Sequence, residues 1–173
     1  KKLMNLKKNL VLLGMMASGK STIGVLVSKK LGLKFYDIDR IIEVETNMNI
    51  SEIFAKKSES FFRSLEEKIV LKNLKNKNSV ISLGGGAFSN DKIRKEIITN
   101  HISFWLDCSN STILKRIRKN KRRPIANKLT NKDLIELIIK RKKNYIKAKY
   151  RIDCNKFNKE KIVHTIKRLY EKI

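Results

Sequence analysis

The stretch LVLLGMMASGKST, Leu10 to Thr22, decides the fold. Val11, Leu12 and Leu13 form a continuous apolar run rather than an alternating one, as a central parallel strand covered by helices on both faces requires. The residues that follow, Gly14 to Ser21, match G-x-x-x-x-G-K-[ST] between that strand and a helix predicted over about Lys20 to Leu31, with Gly32 as its stop. Gly14 and Gly19 let the backbone turn its N–H groups toward one point, where the helix presents its positive end. The loop as a whole, with Met15, Met16, Ala17, Ser18 and Thr22, is therefore expected to cradle a nucleotide's phosphates. Lys20 is expected to reach the β- and γ-phosphates, and Ser21 to offer its hydroxyl to Mg²⁺.

The same stretch has a second reading. Lys1, Lys2, Lys7 and Lys8 make a basic start, and Leu10 to Ala17 is apolar, as in the front of an export signal. That reading requires no glycine–lysine–serine pattern and expects a small-residue cleavage site that the sequence lacks. The phosphate cradle accounts for every residue of the motif.

Working outward, the strand–loop–helix pattern recurs. KFYDID (34–39) reads as a strand, with a helix starting near Ile41; SEIFAKKSESFFRSLEEKIVLKNLK contains two helices, the second over about Glu59 to Asn76. SVISL (79–83) is a second buried strand ending in Gly84, Gly85 and Gly86. A helix near Asp91 to Thr99, a strand HISFWLD (101–107), a helix from Ser109 to Arg118, a short strand RIDCN and a closing helix from about Lys159 to Lys172 complete the pattern. Strands separated by helices predict an α/β fold with a parallel sheet. The basic segment Arg118 to Thr130 holds the only proline, Pro124, has little apolar periodicity, and reads as a mobile surface segment.

At 173 residues the chain suffices for one domain with a buried core. No uninterrupted run approaches the roughly 18 apolar residues of a membrane-spanning helix, so no membrane partner is expected. The net charge is +25, from 41 Lys and Arg against 16 Asp and Glu. The excess is scattered lysine without the aromatic-interleaved basic stripe of single-strand binders, so nucleic acid is not expected as a partner, although anionic ligands should be attracted. Cys108 and Cys154 stand in no metal-ligand spacing and read as reduced core thiols; His101 and His164 likewise lack partners and are assigned no chemistry.

Three constellations lie outside the loop. Asp37 and Asp39 stand two apart at the end of a predicted strand, where period-2 geometry aims both carboxylates to one side and into the ligand crevice. Arg63 sits among apolar neighbours near a helix start, a place for a guanidinium that holds an anion or pairs with Glu66 or Glu67. Gly84 to Gly86 cost chain entropy and bury no side chain, which points to close approach of backbone and ligand.

Taken together, GMMASGKST, FYDID, SEIFAKKSESFFRSLEE, SLGGGAF, the RRP of the basic segment and RKKNYIKA resemble the shikimate kinases in order and spacing along almost the whole chain. The resemblance implies a three-layer P-loop fold like that of nucleoside monophosphate kinases: a five-stranded parallel sheet of order 2-3-1-4-5 with helices on both faces. It implies one kinase domain, with a substrate-binding region over about 37–65 and a lid over about 118–130. It further implies that Asp39 binds the ring hydroxyls of shikimate, that Arg63 and Arg141 hold its carboxylate, and that Gly84, Gly85 and Gly86 line the same pocket. Arg123 corresponds to the lid arginine that approaches the phosphates, Arg116 to the arginine that packs on adenine, and Asp37 to the position that helps hold Mg²⁺ through water. The implied reaction moves the γ-phosphate of ATP to the 3-hydroxyl of shikimate, on the way to chorismate and the aromatic amino acids, in a cytoplasmic, monomeric enzyme.

The chemistry agrees. A loose phosphoryl-transfer transition state asks for alignment and charge neutralisation, for which Lys20, Mg²⁺ and a lid arginine suffice. Asp39 beside the attacking hydroxyl either orients it or accepts its proton. The strand SVISL ends without the acidic residue that many P-loop proteins use for Mg²⁺, which leaves Asp37 as the candidate. Three departures from the family pattern stand out: Ala17 replaces a frequent glycine and is tolerable where φ stays negative; RKKNYIKAKY lacks a proline between arginine and tyrosine; and Lys149 stands where an acidic residue is usual. The alternatives are another small-molecule P-loop kinase, such as a gluconate kinase, and a non-catalytic nucleic-acid binder.

Overall fold

The computed structural model describes residues 8–120 and 124–173. Strand β1 (Leu10–Leu13) lies at the centre of a five-stranded parallel sheet, with β2 (Lys34–Asp37), β3 (Ser79–Ser82), β4 (Ile102–Asp107) and β5 (Tyr150–Asp153) in the order β2-β3-β1-β4-β5. Every residue of β1, β3 and β4 is buried, whereas the edge strands β2 and β5 are mostly half-buried. This burial explains why the central strands read as continuous apolar runs.

The two faces of β1 feed two cores. Leu10 and Leu12 pack with Phe104, Leu106 and the apolar stripes of α1 (Lys20–Leu31) and α9 (Lys159–Glu171), among them Val27 and Ile166. Val11 and Leu13 face the other way, onto α2 (Ile38–Thr46), α3 (Ile50–Lys56), α4 (Glu59–Leu74) and α5 (Asp91–Asn100), and onto α6 (Asn110–Lys119) and α8 (Asn131–Tyr145). Helix starts carry side-chain caps: Ser58 accepts from the Phe61 N–H at 3.1 Å, and Ser109 from that of Thr112 at 3.2 Å. Gly32 closes α1 in the left-handed region, φ 66°.

Three expectations are corrected. First, Ile38 and Asp39 are not strand residues. Asp37 ends β2 and α2 begins at Ile38, because Ile38 and Ile42, one helical turn apart, both reach the core. Second, the basic segment, expected to lack secondary structure, contains α7 (Pro124–Lys128), next to which Arg118 donates to the carbonyls of Asn127 at 3.0 Å and Leu129 at 2.6 Å. Third, α8 was not anticipated, although Thr130 and Asp133 form a capping box and Leu134 and Ile138 bury one face.

Candidate active site

A cavity of about 710 Å³ opens at the carboxyl ends of the central strands, where ligands of open α/β sheets bind. Its floor is the loop between β1 and α1. Gly14 (φ 147°) and Gly19 (φ 98°) hold conformations that L side chains rarely adopt, and a Cβ on Gly14 would lie 2.8 Å from the Leu106 carbonyl oxygen. Ala17 has φ 63°, contrary to the expectation of a negative value. The loop's curvature demands a left-handed residue there, and this chain meets the demand without glycine.

Lys20 is buried beneath the loop and donates to the carbonyls of Gly14 at 2.8 Å and Met15 at 2.9 Å, which fixes its ammonium under the phosphate cradle. Ser21, in the first turn of α1, donates to Asp37 Oδ2 at 2.5 Å. Asp37 therefore spends its carboxylate on Ser21 rather than on capping α2. Asp39 sits in the first turn of α2, and both aspartates line the cavity with Lys20 and Ser21. They converge because a strand end and a helix start meet there, not through period-2 alternation.

The glycine triplet is fenced by four charged side chains, of which Glu66 Oε1 would stand 2.7 Å from a Cβ on Gly84. A Cβ on Gly84 would stand 2.8 Å from Asp39 Oδ1, one on Gly85 3.0 Å from Arg141 Nη1, and one on Gly86 2.6 Å from Arg63 Nη1. None of these glycines has a positive φ; space, not backbone conformation, excludes a side chain. Arg63 on α4 and Arg141 on α8 thus reach the same short piece of backbone from two different helices. Burial lowers the Arg141 pKa from its ordinary value, and the like charge of Arg63 lowers it further, while Tyr145 and Glu66 oppose the shift. Two guanidinium groups repelling one another beside bare backbone make a site that an anion stabilises.

Arg63 also pairs with Glu66 (Nη1 to Oε2, 2.7 Å), so one of the two structural partners foreseen is present; Glu67 instead binds Asn90 at 2.6 Å and Lys92 at 3.0 Å. Burial raises the Glu66 pKa against the pull of Arg63, and the negative charge of Asp39 adds to the rise. Tyr145, at the end of α8, donates its hydroxyl to the Gly85 carbonyl, and burial pushes its pKa up to about 12. Arg116 on α6 donates to the Ala17 carbonyl at 3.1 Å and borders the cavity with Asn120, Phe157 and Asn158. Arg123 lies outside the described residues.

Sequence reasoning did not assign Glu66, Tyr145, Asn120, Phe157 or Asn158 to the site. Glu66 and Tyr145 carried a signal in hindsight, since each lies a helical step from an expected arginine: Glu66 three residues from Arg63, Tyr145 four from Arg141.

The fold and site define a P-loop phosphotransferase whose phosphate cradle lies next to a glycine triplet flanked by two guanidinium groups. The profile described as Shikimate kinase matches residues 16–171. Curated relatives named shikimate kinase include that of Persephonella marina, 39% identical over 92% of this chain and 96% of its own, and that of Thermodesulfovibrio yellowstonii, 38% identical over 96% of both. The solved shikimate kinase of Acinetobacter baumannii in complex with shikimate superimposes with a TM-score of 0.89, at 28% identity over 96% of this chain and 94% of that one. A gluconokinase from Sinorhizobium meliloti, at 14% identity and TM-score 0.53, shares the fold alone. The chain belongs to the shikimate kinase family. It is a kinase, of a family that uses ATP.

Proposed function

We propose that this enzyme transfers the γ-phosphate of ATP to the 3-hydroxyl of shikimate, and that Asp39, Arg63, Arg141 and Gly84 to Gly86 hold the acceptor. The convergence of both arginines and Asp39 on one glycine triplet, beside the loop that buries Lys20, carries this reading. Arg63 and Arg141 offer paired N–H donors to the carboxylate at one end of the ring, and Asp39 meets the hydroxyls at the other. The small backbone of the triplet leaves room for the ring between them. The bound shikimate of the Acinetobacter baumannii relative supports the choice of acceptor.

In the reaction, the 3-hydroxyl oxygen forms a bond to the γ-phosphorus as the bond to the β–γ bridging oxygen breaks, and the hydroxyl proton leaves. Asp39 orients that hydroxyl or takes its proton. Lys20 and the backbone N–H groups of Gly14 to Thr22 balance charge on the phosphates. Arg116 borders the region where adenine would lie, together with Phe157 and Asn158. Ser21 and Asp37, 2.5 Å apart, present the hard oxygen donors that suit Mg²⁺, which when bound would offset negative charge on the β- and γ-phosphates. The role of Arg123 rests on the family resemblance.

The proposal also places the substrate-binding region over about 37–65 and a closing lid over about 118–130, in a monomer. A cytoplasmic site of action rests on the family resemblance. Among the described residues no helix is long and apolar enough to cross a membrane. Coupled detection of ADP with ATP, Mg²⁺ and shikimate tests the activity. Turnover that requires all three is the expected result, and no turnover above background from folded protein would reject it.

A further inference from the structure

Cys108 and Cys154 take no part in the phosphoryl transfer, yet they lie side by side at the edge of the nucleotide cavity. They follow the last register pair of the parallel strands β4 and β5, Asp107 with Asp153, and the Cys154 N–H continues the ladder by donating to the Asp107 carbonyl at 2.9 Å. Neighbouring strands lie about 4.8 Å apart, and a disulfide needs a Cα separation of roughly 4.4–6.8 Å, so the backbone already meets that requirement. Cys154 lines the cavity, whereas Cys108 is buried behind it.

Cys108 is wired to the phosphate loop. Its thiol donates to the Ser18 carbonyl at 3.6 Å, and Arg116, which grips the Ala17 carbonyl, contacts the same sulfur at 3.8 Å. Moving this sulfur toward Cys154 would weaken its contacts with the Ser18 carbonyl and with Arg116, and so loosen two supports of the phosphate loop. Hydrogen bonding to Cys154 lowers the Cys108 pKa to about 7, with help from Arg116 and against burial and Asp107. The same pairing pushes the Cys154 thiol up, so the two thiols share one proton between them and the pair carries thiolate more readily than either would alone.

We propose that Cys108 and Cys154 form a redox-modification site in which a hydroperoxide closes a disulfide that lowers the enzyme's affinity for nucleotide. The thiolate of the pair, reached through the cavity that Cys154 lines, attacks one peroxide oxygen and the O–O bond breaks, giving a sulfenic acid and hydroxide. The second sulfur then displaces water from that sulfenic acid and the S–S bond forms. The two sulfurs together lose two electrons, which the peroxide accepts. A thiol reductant reverses the change. The inference rests on reading the cavity as the nucleotide site.

The test treats purified full-length enzyme with hydrogen peroxide and follows three quantities: alkylation of the thiols by iodoacetamide after denaturation, binding of a fluorescent ATP analogue, and recovery with dithiothreitol. A peptide joined through Cys108 and Cys154, at least tenfold weaker analogue binding and full recovery are expected. ATP present during treatment should slow closure, and Cys154→Ser should show no reversible loss of analogue binding relative to its own untreated binding. Two thiols still open to alkylation, a disulfide without effect on analogue binding, or equal reversible loss in Cys154→Ser would each overturn the inference. Failure of the untreated enzyme to bind the analogue would instead reject the nucleotide reading.

Discussion

Replacing Arg63 with alanine tests the acceptor pocket and the buried carboxylate behind it together. The Arg63 side chain is 35% exposed and that of Glu66 only 3%, and they meet at 2.7 Å. Losing a charge-assisted hydrogen bond to the acceptor removes about 1.5–3 kcal/mol, roughly ten- to hundredfold in affinity. Binding of ATP, held by the β1–α1 loop, should not change. Stability falls as well, because Glu66 loses its partner. A fully buried pair would cost about 3–5 kcal/mol when broken, but solvent screens Arg63, so about 1–2 kcal/mol is expected.

This loss should depend on pH. Burial already raises the Glu66 pKa above its ordinary 4.5, and Arg63 supplies the largest opposing effect, so its removal raises the pKa further. A carboxyl whose folded pKa is raised contributes stability that is present below its unfolded pKa and lost as pH rises through the folded one. The difference in Tm between wild type and Arg63→Ala should therefore be smallest near pH 4.5 and widen toward neutrality. Adding Glu66→Gln should flatten it. Titration calorimetry with each substrate and melting curves across that range provide the readout. Equal weakening of ATP and shikimate, or a Tm difference independent of pH, would refute the reasoning.

Other substitutions probe the remaining parts. Tyr145→Phe removes only the hydroxyl that binds the Gly85 carbonyl, and should raise the KM for shikimate several-fold with little change in the KM for ATP. Ala17→Gly relieves a left-handed alanine at the cost of unfolded-chain entropy, a net gain of up to about 1 kcal/mol that would raise Tm by roughly 2–4 °C, visible in a thermal melt. Ser21→Ala deletes the donor to Asp37 and should raise the Mg²⁺ concentration needed for half-maximal rate while shikimate affinity stays the same.

Much of this architecture was legible because the decisive features are local. The continuous run before Gly14 marks a doubly covered strand, and the loop motif needs its glycines and lysine at fixed spacing. The glycine triplet was legible as a place of close approach, but what approaches it is tertiary: Asp39, Arg141 and Arg63 arrive from three different helices. Asp39 was placed on a strand because KFYDID looks extended, and only the burial of Ile38 and Ile42 one turn apart starts the helix earlier. Phe157 and Asn158 carry no motif and reach the cavity only through the fold of the β5–α9 connection. The dependence of Glu66 on Arg63 was half visible, since an (i, i+3) pair on a helix is a local possibility, but its burial is not.

The central claim is that one small acid is gripped between Arg63 and Arg141 with its hydroxyls toward Asp39, next to the phosphate loop. A crystal structure with shikimate and ADP measures this directly. The account predicts the carboxylate within hydrogen-bond reach of both guanidinium groups, the ring against Gly84 to Gly86, and the 3-hydroxyl facing the β-phosphate. Shikimate seated away from the glycine triplet, or a carboxylate touching neither arginine, would contradict it.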